Sequence, residues 1–436
     1  FDGLKVYAFD VKSGRRRAVP HPVVDARGNT LWRLQAQEPR EELGLLENHA
    51  LTLGPLTDRG RVLYVAAPDS EAGADRWSYD DRRSDRLLAL LYDGIQFEPL
   101  FEVGGTRWTD EGEAADTRLY GSPILYRGKL WIAAIRPTPS ATDQAEGWLL
   151  GLDPLTGATR VETYLGLGSP VRRGRADEAI PSSPAASQGR VVVATALGVV
   201  AAVDALDGRP LWLLRYERGA VAQGRSRRLG SLRDTASRLS GFRNQAPVLA
   251  LERTFVAPTD GPHLLCLFDR PQGPERELVS WRIHRRLDFR DFAAEQIVAA
   301  QPARGGAPAR LILAGKGRST EGDVPAPIAV ALDALRPPRV LWTATATTGD
   351  GGEPFGTAIA TDEELFVPTR HGISVYAVED GRDLATLDLS ALPEDWASLL
   401  PTDVGPFGNL IPVPGKGLLA VNAALVSFWR RAPTRR

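Results

Sequence analysis

Arginine is the residue type in this chain whose clustering most clearly offers a chemistry. Between positions 215 and 243 lie Arg215, Arg218, Arg225, Arg227, Arg228, Arg233, Arg238 and Arg243, against only Glu217 and Asp234. A second run, Arg172, Arg173 and Arg175, is partly offset by Asp177 and Glu178. Guanidinium forks match carboxylate and phosphate oxygens two at a time, so these runs are the candidate binding residues for an anion or an acidic partner. The competing reading is a solvated loop whose cations pair with local acids. Nucleic acid is not expected, because no aromatics interleave with the arginines and the formal net charge is −1. Within the longer run, Ser231-Leu-Arg-Asp234 can start a short helix and Gly241 can end it. A mixed-charge stretch from Pro68 to Arg86, rich in Asp and Arg, reads as a solvent-exposed excursion.

Other constellations are weaker. The five histidines (His21, His49, His263, His284 and His371) read as belonging to different repeats, and none stands in an H-E-x-x-H frame. They read as loop or surface residues. No G-x-S-x-G elbow is present. Ala314-Gly-Lys-Gly-Arg-Ser-Thr320 lacks phosphate-loop spacing, and Thr348-Gly-Asp-Gly-Gly-Glu353 offers one Asp where a calcium loop needs several oxygens. Both read as turns. Cys266, the single cysteine, sits in the apolar run Leu264–Phe268 and reads as a buried thiol. No catalytic set, metal site or cofactor is expected.

The elements that position these residues are repeats. Ala202-Val-Asp204-Ala-Leu-Asp-Gly208-Arg-Pro-Leu-Trp212 recurs in eroded form at Tyr7–Gly14, Gly151–Gly157 and Ala331–Trp342. Each copy follows a Pro, a Gly turn and an apolar run such as Val191–Ala194. Units begin near Pro55, Pro123, Pro184, Pro247, Gln296, Gly356 and Pro406, each reading as four short strands joined by tight turns. Continuously apolar strands need burial on both faces, which a small sheet between two neighbouring sheets provides. The expected fold is all-β: a single β-propeller domain over 1–436 built of four-stranded blades. In the repeat, Ala202 supplies a methyl toward the next blade, Asp204 binds the following turn, Gly208 adopts positive φ there, and Trp212 covers apolar area between blades. The arginine runs then fall in two adjacent inter-blade loops. The longer joins blades four and five, and both emerge on one face.

The chain has no Met, even at position 1, and opens at Phe1-Asp2-Gly3, which aligns with a turn between second and third strands. The expectation is eight blades, the first incomplete here, in a fragment of a longer precursor; seven follow if the two ends combine. No apolar stretch reaches the roughly 18 residues of a membrane-spanning helix, so no direct membrane insertion is expected.

Ala202–Trp212 fits every fixed position of A-x-D-x-x-x-G-x-x-x-W, and on these residues the chain resembles the PQQ-like (quinoprotein) propeller repeat family. Phe255–Asp260, Pro368–Gly372 and Gly408–Leu410 resemble propellers within large bacterial proteins. The resemblance implies one of two roles. Quinoprotein dehydrogenases hold a quinone and Ca²⁺ and often carry a disulfide between adjacent cysteines. Other members are non-catalytic scaffolds, similar to the lipoprotein of the outer-membrane β-barrel assembly machine. One cysteine excludes the adjacent pair. A non-catalytic scaffold or protein–protein interaction module in a larger bacterial assembly is therefore expected, with protein partners and a periplasmic or otherwise extracytoplasmic location implied by the family. The alternatives are an anion or small-molecule receptor using the arginine face, and, less favoured, a diverged quinoprotein dehydrogenase.

Overall fold

A computed structural model describes residues 5–6, 8, 17–18, 21–22, 51–67, 86–104, 117–138, 144–169, 172–173, 177–178, 181–218, 245–268, 279–284, 286–287, 292–317, 326–337, 339–345, 356–369, 372–388, 409–413, 417–421 and 426–429. They are all strands and turns, with no helix among them.

Repeat units are numbered from the N-terminus. Lys5–Val6 pairs with His21–Pro22 in the first. Blade two comprises Leu51–Thr57, Gly60–Ala67, Arg86–Tyr92 and Phe97–Gly104; blade three, Arg118–Tyr126, Lys129–Pro137, Ala145–Leu152 and Thr159–Gly168. Blade four comprises Ala185–Ser187, Arg190–Ala194, Val199–Asp204 and Pro210–Arg215; blade five, Val248–Ala250, Arg253–Val256, His263–Phe268 and Val279–His284. Blade six comprises Phe292–Gln301, Arg310–Lys316, Pro327–Asp333 and Val340–Thr345, with Arg286–Leu287 added at its edge; blade seven, Ile359–Ala360, Glu364–Pro368, Gly372–Ala377 and Asp383–Asp388. Asn409–Val413, Gly417–Val421 and Val426–Trp429 form a three-stranded sheet in the eighth unit. Every pairing is antiparallel and follows chain order, which is the propeller-blade meander.

Consecutive blades share cores. Val62, Tyr64, Leu87 and Ala89 of blade two pack with Leu130, Ile132 and Leu150 of blade three. Ala202 and Trp212 of blade four pack with Val256, Leu265 and Leu267 of blade five. Cys266 is fully buried in the core between blades five and six.

Polar links also run from blade to blade along the inner strands. Thr52 Oγ1 donates to the Pro123 carbonyl at 2.9 Å, and Ser183 Oγ accepts the Ser122 N–H at 2.8 Å. Gln245 Oε1 accepts the Ile297 N–H, and Gln296 both donates to and accepts from the Ala358 backbone. Such links leave few buried backbone groups unpaired where strands lack a sheet neighbour.

Arg86 departs from the solvent-exposed reading of the Pro68–Arg86 stretch. It opens a strand, is 4 % exposed and pairs with Glu102 across to the outer strand. The remainder of that stretch, 68–85, lies outside the described residues.

Candidate functional site

In an antiparallel four-stranded meander, the turns after the first and third strands lie at one end. The turn after the second strand and the link to the next blade lie at the other. The two ends carry different chemistry here.

At the first end, the motif Asp builds the turn before each outer strand. Asp204 Oδ1 accepts the Leu206 N–H at 2.7 Å, the Gly208 N–H bonds the Asp204 carbonyl, and Gly208 has φ +77°. Asp153, Asp333 and Asp93 repeat the device, accepting the N–H of Leu155, Leu335 and Ile95. The hydrogen bonds Asp93 and Asp153 accept from these turns hold both carboxyls below the usual carboxylate range.

The same turn is where the preceding blade docks. Trp342 of blade six donates from Nε1 to the Val378 carbonyl of blade seven at 3.0 Å, and its ring lies over Gly381. Val161 of blade three occupies the equivalent place over Gly208, and Phe101 of blade two that over Gly157. Lys129 donates to the Ala205 and Leu206 carbonyls, and Arg310 to that of Val378. Trp281 of blade five faces a longer turn, in which the Asp333 N–H bonds Arg339 rather than the residue one place earlier, and Pro337 replaces the glycine. Its indole N–H is buried without a partner among the described residues.

One consequence is that the residue two after each motif Asp is pushed outward. Ile95 is 75 %, Leu155 49 %, Leu206 69 % and Leu335 50 % exposed. Leu155, Leu206 and Leu335 thus stand at the same turn position of their blades, and Ile95 projects from a hairpin of blade two whose strands run two residues further, all on one face.

At the other end, the root of the arginine-rich link is bolted down. The Tyr216 hydroxyl donates to Asp260 Oδ1, and Arg218 Nε donates to Asp260 Oδ2 at 2.7 Å. The Asp260 side chain is fully buried, so this is a desolvated, satisfied ion pair between blades four and five. Burial foremost, with the Asp260 charge beside it, pushes the Tyr216 hydroxyl well above its usual range. Beside this bolt, His263 and His284 are direct cross-strand neighbours in blade five. They do not belong to different repeats as their spacing suggests. Glu217 lies within 3.8 Å of His263 and 3.9 Å of Arg282. Burial lowers the His263 pKa, with Glu217 opposing.

Of the candidate binding arginines, Arg175, Arg225, Arg227, Arg228, Arg233 and Arg238 lie outside the described residues, as do Ser231, Asp234 and Gly241. The backbones of Arg172 and Arg173 pair in register with Glu178 and Asp177. His49 and His371 also lie outside, as does Thr348–Glu353. Sequence reading missed Tyr216, Arg218 and Asp260, whose signal is a Tyr and an Arg two apart after an outer strand with an Asp in the next blade's loop.

Against solved structures, the chain superposes on quinohemoprotein alcohol dehydrogenase ADHIIG from Pseudomonas putida HK5 with a TM-score of 0.50 and 13 % identity, over 96 % of this chain and 69 % of that one. The fold is an all-β propeller, the architecture that structure shares. BamB from Moraxella catarrhalis gives a TM-score of 0.47 at 14 % identity, over 88 % of this propeller and 83 % of that chain. Sqt1 from Saccharomyces cerevisiae gives 0.45 at 11 %, over 85 % and 81 %. A scan against family models returns no match, and neither does a comparison with curated proteins.

Proposed function

We propose that this propeller is a non-catalytic protein–protein interaction module in a larger bacterial assembly, docking a protein partner on the face that carries the Asp-braced turns. The observation behind this reading is the repeated outward aliphatic: Ile95, Leu155 and Leu206 on three consecutive blades, and Leu335 on blade six. Each is held out by a hydrogen-bonded turn rather than by a mobile tip. Fully burying one such side chain returns about 1.5–3 kcal/mol, so two or three together reach hot-spot size. The family resemblance brings an extracytoplasmic location with it.

The test is affinity purification from the source cell of the natural protein and a Leu155→Asp/Leu206→Asp variant. The reading requires specific subunits that follow the natural protein and are lost from the variant while its melting temperature is unchanged. Identical co-purifying subunits would count against this face.

A second reading, an anion receptor built on the arginine-rich links, is favoured by one observation: the Tyr216–Asp260–Arg218 bolt fixes the root of the longer link at the blade boundary. Joint replacement of Arg227 and Arg228 should then weaken a salt-sensitive anionic ligand.

A further inference from the structure

The face that carries the Asp-braced turns is not uniform in charge, and the difference is sharpest beside Leu206. In blades three and four the acids of these turns are engaged within the turns themselves. Asp153 Oδ1 accepts the Leu155 and Thr156 N–H, and its Oδ2 takes Arg160 at 3.1 Å. Asp204 Oδ1 accepts the Leu206 N–H, and Asp207 Oδ1 accepts the Arg209 N–H at 2.9 Å. The cations are left over. Arg127 and Arg209 are exposed, and among the described residues neither guanidinium has a carboxylate partner. Lys129 Nζ donates to the Leu206 carbonyl at 2.8 Å and likewise has no carboxylate partner among the described residues.

These cations converge on one boundary. Lys129 crosses from blade three to the turn of blade four that carries Leu206. Arg127, two residues earlier, has Nη2 3.2 Å from a Cβ built on Gly189, whose carbonyl accepts the Ala205 N–H next to Leu206. Arg209 closes the same turn, its carbonyl accepting the Asp204 N–H at 2.8 Å. Leu206, 69 % exposed, thus stands among Arg127, Lys129 and Arg209, with Asp207 as the exposed acid of its turn. Blade seven inverts this pattern. Its Gly381 N–H bonds the Ala377 carbonyl as the Gly208 N–H bonds that of Asp204, which puts exposed Glu379 where blade four has Leu206. Glu363 and Asp380, also exposed, lie at the same end of that blade.

We propose that the boundary of blades three and four binds an acidic segment of the partner protein. An aliphatic side chain of that segment packs on Leu206, and aspartate or glutamate carboxylates beside it meet Arg127, Lys129 and Arg209. This rests on the reading of this face as the docking face and adds the chemistry of what docks there. Guanidinium forks take carboxylates two oxygens at a time, and burial of the leucine contact removes water from the pairs, which strengthens them. A basic segment would be repelled at this boundary.

The test uses the full chain and two synthetic helical peptides, one of leucine and glutamate and one of leucine and lysine, followed by fluorescence anisotropy. Affinity purification from the source cell runs beside it. The leucine–glutamate peptide should bind tighter by about tenfold or more in low salt and lose most of that preference at about 0.5 M salt. Arg127→Glu/Arg209→Glu should abolish the preference with an unchanged melting temperature, and Glu379→Gln should leave it intact. Lys129 is spared because its bonds join two blades. Subunits lost from the Leu155→Asp/Leu206→Asp protein should be lost from the charge-reversed protein as well. No preference for the leucine–glutamate peptide, a preference that survives charge reversal, or capture abolished by nuclease would overturn the acidic partner. Subunits kept by the charge-reversed protein but lost from the leucine variant would overturn it too, while leaving the docking face standing. Subunits kept by both would remove the face itself.

Discussion

The contact of Val161 with Gly208 gives the sharpest test of how one blade docks on the next. A Cβ built on Gly208 would sit 2.0 Å from Val161 Cγ1 and 3.0 Å from Thr163 Oγ1. Gly208 also has φ +77°, where a side chain costs about 1–2 kcal/mol. Gly94, in the corresponding turn of blade two, has φ +102° but nothing within 4 Å of its built Cβ. Gly208→Ala should therefore cost the backbone term plus overpacking of about 1–3 kcal/mol, for a total of about 2–5 kcal/mol. Gly94→Ala should cost only the backbone term. Trimming the partner removes the clash, so Val161→Ala in the Gly208→Ala background should recover about 1–3 kcal/mol relative to additivity. The assay is urea unfolding followed by tryptophan fluorescence, with the first transition compared across the four proteins of the cycle and Gly94→Ala. Equal costs at Gly208 and Gly94, or additive effects at Val161 and Gly208, would refute inter-blade docking at this turn.

Three further outcomes are expected. Trp342→Phe loses the indole bond to Val378 and should cost about 1 kcal/mol more than Trp281→Phe, whose indole N–H has no partner among the described residues; equal melting-temperature shifts would contradict this. Asp260→Asn should destabilise by about 2–3 kcal/mol in thermal melts, because the Arg218 and Tyr216 bonds lose their charged acceptor, while Arg282→Gln should be near neutral. Burial pushes the Tyr376 hydroxyl up to about 12 and raises Tyr216 as well. A raised folded-state pKa stabilises fully below the unfolded value near ~10 and is lost above it, so urea midpoints should hold up to about pH 10 and fall between about pH 10 and 12, with Tyr376 contributing on the order of 2–3 kcal/mol.

The fold was legible because a propeller repeats its instructions. One intact copy, Ala202–Trp212, states the turn, its glycine and the docking residue, and the eroded copies set the period. What each docking residue lands on was not legible. Val161 holds the place that Trp212 and Trp342 hold, yet a valine among many valines carries no signal until the facing glycine is known. The outward Leu155, Leu206 and Leu335 look like ordinary strand residues in sequence. Only the Asp-braced turn shows that their side chains face water. His263 and His284 seem unrelated because their separation spans the loop between two strands, and cross-strand register depends on the ladder rather than on spacing. Asp260 is one aspartate in a loop between two strands and has no partner near it in sequence. Its partners come from the preceding blade.

The central claim is that this propeller works by holding other proteins, and native mass spectrometry of the protein from its own source, before and after mild denaturation, tests it most directly. The expected result is a mass well above that of the 47.2 kDa chain, resolving into this chain and partner subunits on mild denaturation, with the Leu155→Asp/Leu206→Asp protein running alone. A bare chain that releases a small molecule of quinone mass would contradict the account and revive the quinoprotein dehydrogenase reading.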